Sequence, residues 1–176
     1  MRRILLLDDE INVLHALQRT LHHCFPGEDI RTEIFSEPEL ALLRSGEVPF
    51  DVVISDFRML SMNGVEFLKA VKGIQPDAVR LLLTASTEFD TVMKAINQAE
   101  VFRYIAKPWL ADELQKTIQL AFVRRDQAMD DRRLADETRA KQGELTPQEV
   151  EARRLEAQEP GIMQVKWGPD GSVQLD

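Results

Sequence analysis

The chain has 176 residues, with 22 lysine and arginine residues against 30 aspartate and glutamate residues. This length fits one domain of about 100–150 residues with an appendage and leaves no room for a second enzyme domain. The net charge of −8 argues against direct nucleic-acid binding, because such surfaces need clustered positive charge.

The chain begins with a βαβ pattern. Residues 4–7 predict a strand, the apolar spacing of residues 13–21 predicts an amphipathic helix, and residues 30–35 predict a second strand. Ser36 and Glu39 have the spacing of a capping box. In such a box the serine side chain accepts from a free backbone N–H of the first turn, and the glutamate side chain reaches back to the backbone N–H of the serine. A second helix should therefore begin there, and it should end at Gly46.

The same alternation continues to a fifth strand. Residues 51–55, 79–83 and 102–105 predict strands. Helices are predicted from Gly64 to Gly73, from Thr91 to Gln98, and from Asp112 onward. Such alternation demands a parallel sheet with right-handed crossovers and helices on both faces.

The fifth predicted helix runs past the end of the α/β domain, which we place at residues 1–123. Residues 124–133 are polar on every face, so a helical extension over 124–159 should be solvated, form a weak coiled coil or connect to another segment, with the solvated form favoured. Thr146 and Glu149 form a second capping-box pattern, which predicts a short helix to about Gln158.

Residues 160–176 have a different pattern. Val165 and Trp167 alternate with polar residues on one side of a turn-rich linker, and Val173 and Leu175 do so on the other side. This pattern predicts a β-hairpin with one apolar face. Because a lone hairpin is marginal in water, it should dock on the domain, on another protomer or on a partner.

Polar residues follow four of the predicted strands. They are Asp8 and Asp9, then Asp56, Thr84 and Lys107 with Pro108. The carboxyl ends of parallel strands meet at one edge, where open α/β sheets build their sites. Phosphoryl transfer needs an oxygen nucleophile, a cation and a fixed positive group, and these residues can supply all three.

The ordered set of acidic pair, acceptor aspartate, threonine and Lys-Pro resembles the CheY-like receiver domain of bacterial two-component response regulators, over about residues 1–125. The resemblance implies a flavodoxin-like, doubly wound sheet of five parallel strands in the order 2-1-3-4-5, with five helices. It also implies that Asp56 accepts a phosphoryl group from a histidine kinase or phosphotransfer protein as an acyl phosphate. The chain would then be a regulatory phosphoacceptor, with no enzymatic activity beyond its own phosphorylation and dephosphorylation.

Three neighbouring carboxylates require a cation. A like-charge pair about 4 Å apart costs roughly 4 kcal/mol at an effective dielectric constant near 20. Oxygen ligands favour Mg²⁺, with Mn²⁺ as the alternative ion. The resemblance implies that Asp9 and Asp56 bind the ion directly, Arg58 through its backbone carbonyl and Asp8 through water. The alternative is that Asp8 and Asp9 cap the first helix.

The resemblance also implies a switch. Lys107 would contact the phosphoryl oxygens, and Pro108 would fix the loop through a cis peptide. The hydroxyl of Thr84 can donate to a phosphoryl oxygen only when one is present. Tyr104 matches the family's switch aromatic, although core packing alone could explain it. The fourth helix, fifth strand and fifth helix would form the face that controls a downstream protein partner or self-association.

Two features point beyond the common pattern. In the loop after the acceptor, Leu60 and Asn63 stand where many relatives have proline and aspartate, which leaves the rigidity of the loop open. Residues 102–109, and Trp109 above all, resemble receivers linked to cyclic-di-GMP phosphodiesterases or to hydrogenase-type regulators. The alternative function is therefore the receiver portion of a larger cyclic-di-GMP-handling enzyme or transcriptional regulator.

Cysteine usage and hydropathy bear on the compartment. Cys24 is the only cysteine, so it cannot form an intramolecular disulfide. The apolar runs are strand-sized, well short of the roughly 20 residues that span a bilayer, and no leader pattern precedes the first strand. We therefore expect a cytoplasmic protein without a membrane segment.

Overall fold

The protein folds as a five-stranded sheet flanked by helices, followed by a helical extension. The structure is a computed structural model that describes residues 1–85 and 89–159. The strands are β1 (Arg2–Leu7), β2 (Ile30–Phe35), β3 (Val52–Asp56), β4 (Val79–Ala85) and β5 (Arg103–Lys107). The helices are α1 (Ile11–Cys24), α2 (Pro38–Glu47), α3 (Gly64–Ile74), α4 (Phe89–Ala99), α5 (Ala111–Lys141) and α6 (Pro147–Gln158).

The sheet is parallel throughout, in the order β2-β1-β3-β4-β5. This confirms the predicted flavodoxin-like topology. The chain order reverses between β1 and β3, which are paired with Leu7 opposite Ser55. Ligands of open α/β sheets bind at such a switch point, outside the carboxyl ends of the strands.

The core has two layers because successive side chains of a strand point to opposite faces. Ile4 and Leu6 of β1 pack with α1 and α5 on one face, whereas Leu5 and Leu7 pack with α2, α3 and α4 on the other. All four of these side chains are buried. Burial on both faces explains why β1 is a continuous apolar run and not an alternating one.

The helix caps correct one prediction and supply one that the sequence analysis missed. The capping box predicted at Ser36 is wrong. The N-cap residue of α2 is Glu37, its side chain makes no cap hydrogen bond, and Pro38 in the first turn has no N–H to satisfy. A capping box instead joins Asn63 and Glu66 at the start of α3. The box predicted at Thr146 is confirmed.

Helix α5 is 31 residues long and continues past the sheet, which confirms the predicted overrun. The chain then reverses at Gly143, whose φ of 76° suits glycine, and α6 packs back on α5. The extension is not solvated on all faces as favoured from its composition. Arg125 and Asp136 are both buried within it, because they pair with charges elsewhere in the chain.

Two further expectations meet the limits of the described chain. The predicted hairpin lies in residues 160–176, outside the described residues. Within residues 1–85 and 89–159, no helix combines the length and apolar composition that a bilayer crossing requires.

Candidate functional site

The carboxyl edge of the sheet brings the predicted residues together. Asp8 directly follows β1, Asp56 ends β3, Thr84 lies near the end of β4 and Lys107 ends β5. The strand register aligns these ends, with Asp56 opposite Leu83 and Thr84 opposite Ala106. Asp8, Asp56 and Thr84 are buried, so this edge of the sheet holds polar side chains where water has little access.

Lys107 joins the two buried carboxylates. Its Nζ lies 2.8 Å from Asp8 Oδ2 and 2.7 Å from Asp56 Oδ1. The peptide bond between Lys107 and Pro108 is cis, as the family resemblance implied. Lys107 therefore holds a fixed positive charge against the oxygen that the sequence analysis assigned as nucleophile.

The environment works against a charged Asp56. Burial raises the pKa of Asp56, and the hydrogen bond from Lys107 offsets only part of that rise. Burial lowers the pKa of Lys107, but its hydrogen bonds to Asp56 and Asp8 outweigh that effect and leave the pKa raised. The crevice therefore pairs a firmly cationic lysine with a carboxyl group whose charged form is incompletely stabilised.

A cluster of oxygen ligands lies beside this pair. Carboxylate oxygens of Asp8, Asp9 and Glu10 lie within 4.8 Å of one another, with Asp9 and Glu10 exposed. Asp8 also accepts a hydrogen bond from the Glu10 backbone N–H at 2.8 Å, which orients its side chain. Hard oxygen donors open to water fit Mg²⁺. The sequence analysis missed Glu10, although the run Asp-Asp-Glu was a signal for it.

The alternative role for the acidic pair was helix capping. The N-cap residue of α1 is Glu10, and no side-chain cap hydrogen bond is made there. Asp8 bonds the N–H of Glu10 itself, one step before the helix. The helix start thus gives no separate explanation for Asp9, which remains available as a ligand.

The two predicted switch residues, Thr84 and Tyr104, lie on the neighbouring strands β4 and β5. The Oγ1 of Thr84 donates to the carbonyl of Ala85 at 3.2 Å, a long bond for a hydroxyl donor. Tyr104 is 42% exposed and lines a groove of about 640 Å³ between α4, β5 and α5, together with Trp109 and Leu120. Arg58 is exposed in the loop after β3.

Gly64 is a further site residue whose role the sequence analysis did not identify. A Cβ added there would lie 2.1 Å from the backbone oxygen of Asp56. The Gly64 N–H also donates to the carbonyl of Phe57 at 2.9 Å. The missing side chain lets the start of α3 approach the acceptor strand closely.

Comparison with known proteins agrees with the resemblance to receiver domains. Residues 4–119 match the model of the response regulator receiver domain family. The hydrogenase transcriptional regulatory protein HoxA of Cupriavidus necator is 34% identical over 118 residues, which are 67% of this chain and 23% of that protein. The chain therefore spans about a quarter of the length of this relative. The match agrees with the resemblance to hydrogenase-type regulators seen in residues 102–109.

Two solved structures are similar over most of the chain. One is described as an adenylate cyclase from Rhodopirellula baltica, with a TM-score of 0.69 and 30% identity, covering 76% of this chain and 96% of that one. The other is the signal receiver domain of an HD domain-containing protein from Pseudomonas fluorescens Pf-5, with a TM-score of 0.67 and 27% identity, covering 73% and 92%.

Proposed function

This chain belongs to the response regulator receiver domain family, and from that membership we propose that Asp56 accepts a phosphoryl group from a histidine kinase or phosphotransfer protein. Receiver domains are regulatory phosphoacceptors of two-component systems. The observation that carries the proposal is the Lys107 ammonium, 2.7 Å from Asp56 Oδ1 and 2.8 Å from Asp8 Oδ2. A cytoplasmic location, without direct contact with nucleic acid or membrane, is part of the proposal.

The chemistry follows from the positions of these groups. An Asp56 oxygen forms a bond to phosphorus while the bond between phosphorus and the donor nitrogen breaks, and the donor takes up a proton. Lys107 compensates the negative charge on the transferred group. Asp9, Asp56 and the backbone carbonyl of Arg58 would hold Mg²⁺ directly and Asp8 would hold it through water, and the ion would supply the remaining positive charge. Glu10, beside Asp8 and Asp9, strengthens the negative potential that attracts the ion.

The proposed switch begins at Thr84. Its hydroxyl now makes a long bond to the Ala85 carbonyl, so a phosphoryl oxygen on Asp56 offers a more strongly charged acceptor. Movement of Thr84 toward Asp56 frees the space into which Tyr104 turns. The groove between α4, β5 and α5 then changes shape, and with it the affinity for a downstream protein or for a second copy.

A second candidate concerns the whole protein. The chain corresponds to about a quarter of the length of HoxA, whose name describes a transcriptional regulator. The P. fluorescens relative is a receiver of an HD domain-containing protein. These relatives favour the proposal that the receiver controls a larger regulator, while the alternative of a cyclic-di-GMP-handling enzyme rests on the resemblance of residues 102–109. Reading the gene on both sides of these 176 residues distinguishes this candidate from a stand-alone module.

Phosphorylation by a small phosphodonor tests the main proposal. Acetyl phosphate with Mg²⁺ should add one phosphoryl group to the wild-type chain, as measured by intact-mass spectrometry. Asp56→Asn should abolish the adduct because it removes the nucleophilic oxygen. Asp112→Asn, which changes an exposed carboxylate at the start of α5, should leave it intact. An undiminished adduct on Asp56→Asn would show that another group is the acceptor.

A further inference from the structure

Of the three residues between β5 and α5, only the middle one is withdrawn from water. Pro108 and Leu110 are exposed, the latter to 64%. Trp109 between them is half-buried and packs against the core layer that α1 and α5 form on one face of the sheet. Lys107 directly precedes this segment, so the position of its backbone depends on how Trp109 is held.

A hydrogen bond joins Trp109 to α1. Its Nε1–H donates to Oγ1 of Thr20, in the second half of that helix, at 3.2 Å. The Thr20 hydroxyl donates in turn to the carbonyl of Ala16 at 3.0 Å, which leaves its lone pairs free to accept from the indole. Trp109 is therefore attached to α1 in a fixed direction as well as packed against the core.

The start of α5 is attached to the same helix. Gln115 Nε2 donates to the carbonyl of Cys24, the last residue of α1, at 2.6 Å. The Sγ of Cys24 donates to the Ala111 carbonyl at 3.5 Å. The contacts of residues 109–115 thus run along the second half of α1, with the bond to Trp109 nearest to β5 in the chain.

The beginning of α1 holds the other side of the crevice. Asp8 accepts a hydrogen bond at 2.8 Å from the backbone N–H of Glu10, the N-cap residue of α1. Asp8 Oδ2 lies 2.8 Å from Lys107 Nζ. Helix α1 is therefore bonded to Asp8 at its start and to the loop that follows Lys107 through Trp109.

The ammonium of Lys107 needs such support. The stem of a lysine is flexible, so the place of its ammonium depends on where the backbone holds the residue. Lys107 is the last residue of β5, an edge strand that pairs on one side with β4. A misplacement of about 1 Å in a group that must meet a transition state can cost roughly a hundredfold in rate. An anchor just beyond the end of β5 therefore bears on the rate of transfer.

We propose that Trp109, through its hydrogen bond to Thr20, is a positioning residue that holds Lys107 against Asp56 for phosphoryl transfer. This inference rests on the proposed phosphorylation of Asp56. Trp109 and Thr20 act through Lys107, whose Nζ lies 2.7 Å from Asp56 Oδ1. The indole thus has a role beyond filling the core, because its N–H fixes the direction in which the chain leaves β5.

Removal of the acceptor tests the hydrogen bond. Thr20→Val keeps a side chain of similar shape but removes its oxygen, and it should slow formation of the acetyl phosphate adduct on the order of tenfold. Thr20→Ser keeps a hydroxyl and should retain a rate close to that of the wild type. Thr138→Val is the matched control, because the exposed Thr138 makes the same kind of bond to the Leu134 carbonyl, at 2.8 Å, in the extension.

A double-mutant cycle separates the positioning of Lys107 from a general effect on the fold. Lys107→Ala leaves no ammonium to misplace, so adding Thr20→Val should change the residual rate by less than about twofold. Trp109→Phe keeps an aromatic ring but lacks the N–H, and it should repeat the result of Thr20→Val in both backgrounds. Intact-mass spectrometry follows the adduct at a temperature at which thermal unfolding shows every variant folded.

The outcomes distinguish this inference from the proposed function. A wild-type rate in either Thr20→Val or Trp109→Phe would overturn the inference alone. So would a tenfold loss that persists in the Lys107→Ala background, which would show that the bond supports the fold and not the ammonium. The absence of any adduct on the wild-type chain would overturn the proposed function, and this inference with it.

Discussion

Gly64 limits what the acceptor loop tolerates. An added Cβ would overlap the backbone oxygen of Asp56 at 2.1 Å, and backbone cannot yield as a flexible side chain does. We expect Gly64→Ala to lower the free energy of unfolding by about 1–3 kcal/mol or more and to slow phosphorylation. Gly73→Ala in the same helix meets nothing within 4 Å and should instead stabilise by roughly 0.5–1 kcal/mol. Urea unfolding of both variants tests this contrast, which equal effects would contradict.

Substitution of Asp9 distinguishes a metal-binding role from a helix-capping role. If it is a ligand, Asp9→Ala should weaken Mg²⁺ binding on the order of tenfold, which corresponds to about 1.4 kcal/mol. Trp109, next to the cis proline, can report the titration by fluorescence in a chain carrying Trp167→Phe. Asp112→Asn, remote from the acidic cluster, should bind as the wild type does. An unaltered affinity in Asp9→Ala would remove Asp9 from the ligand set.

The charged form of Asp56 should destabilise the folded state when no cation is bound. Its folded-state pKa lies above the ordinary value of 3.8, because burial outweighs the hydrogen bond from Lys107. Between these two values the folded state binds more protons than the unfolded state, so stability falls as pH rises through that window. Asp56→Asn should therefore melt at a higher temperature than wild type at pH 7 in EDTA. A lower melting temperature would mean that attraction to Lys107 exceeds the cost of burial.

Ion pairs attach the polar helical extension to the rest of the domain. Arg2 binds Asp126 through two bonds of 2.7 Å, and Arg132 lies 2.6 Å from Asp77. The buried Arg125 faces Asp51 at 3.7 Å. Burial lowers the pKa of Arg125, with Asp51 raising it in compensation. Charge pairs with the amino edge of the sheet thus replace the apolar stripe that ends at Phe122.

Asp51 is the centre of this attachment. One of its oxygens accepts the Arg3 backbone N–H at 2.8 Å, and the other lies near Arg2 at 3.3 Å as well as Arg125. Asp51→Ala should lower the free energy of unfolding by about 1–3 kcal/mol, since it leaves the part-buried N–H of Arg3 unpaired and removes the charge that faces the buried Arg125. Asp130→Ala breaks only an exposed pair and should cost less than about 0.5 kcal/mol. Comparable losses in thermal unfolding would show that Asp51 is not special.

Sequence patterns predicted the elements better than their attachments. Residues 30–35 and the end of α6 were predicted correctly, because strand and helix periodicity are local properties. The cap at Asn63 was missed, although Asn63 and Glu66 have the spacing of a capping box, in which asparagine serves as well as serine. The bonds from Arg2 to Asp126 join residues 124 positions apart, so no local pattern could reveal them. The solvated extension was predicted correctly for most of its residues, but the burial of Arg125 and Asp136 depends on such distant pairs and was not foreseen.

In the candidate site, too, local patterns predicted the positions of the residues but not the contacts between them. The strand ends identified Asp56, Thr84 and Lys107 as neighbours, since a parallel sheet aligns the carboxyl ends of its strands. That Lys107 would bridge Asp56 and Asp8 depended on side-chain geometry that the sequence does not contain. The ordered motif made the family recognisable, whereas the close approach of Gly64 required the folded backbone.

Helix α5 connects two regions that the proposed switch should treat differently. Its first half lines the groove with Tyr104, and its second half is clamped to the amino edge of the sheet through Asp51 and Asp77. Phosphorylation should therefore change hydrogen exchange in β5 and in residues 111–120, while residues 126–158 keep their protection. The measurement compares the wild type with and without acetyl phosphate and Mg²⁺, and Asp56→Asn under both conditions serves as the control. A change that extends beyond Asp126 would show that α5 moves as one rod and carries the signal toward whatever follows the extension.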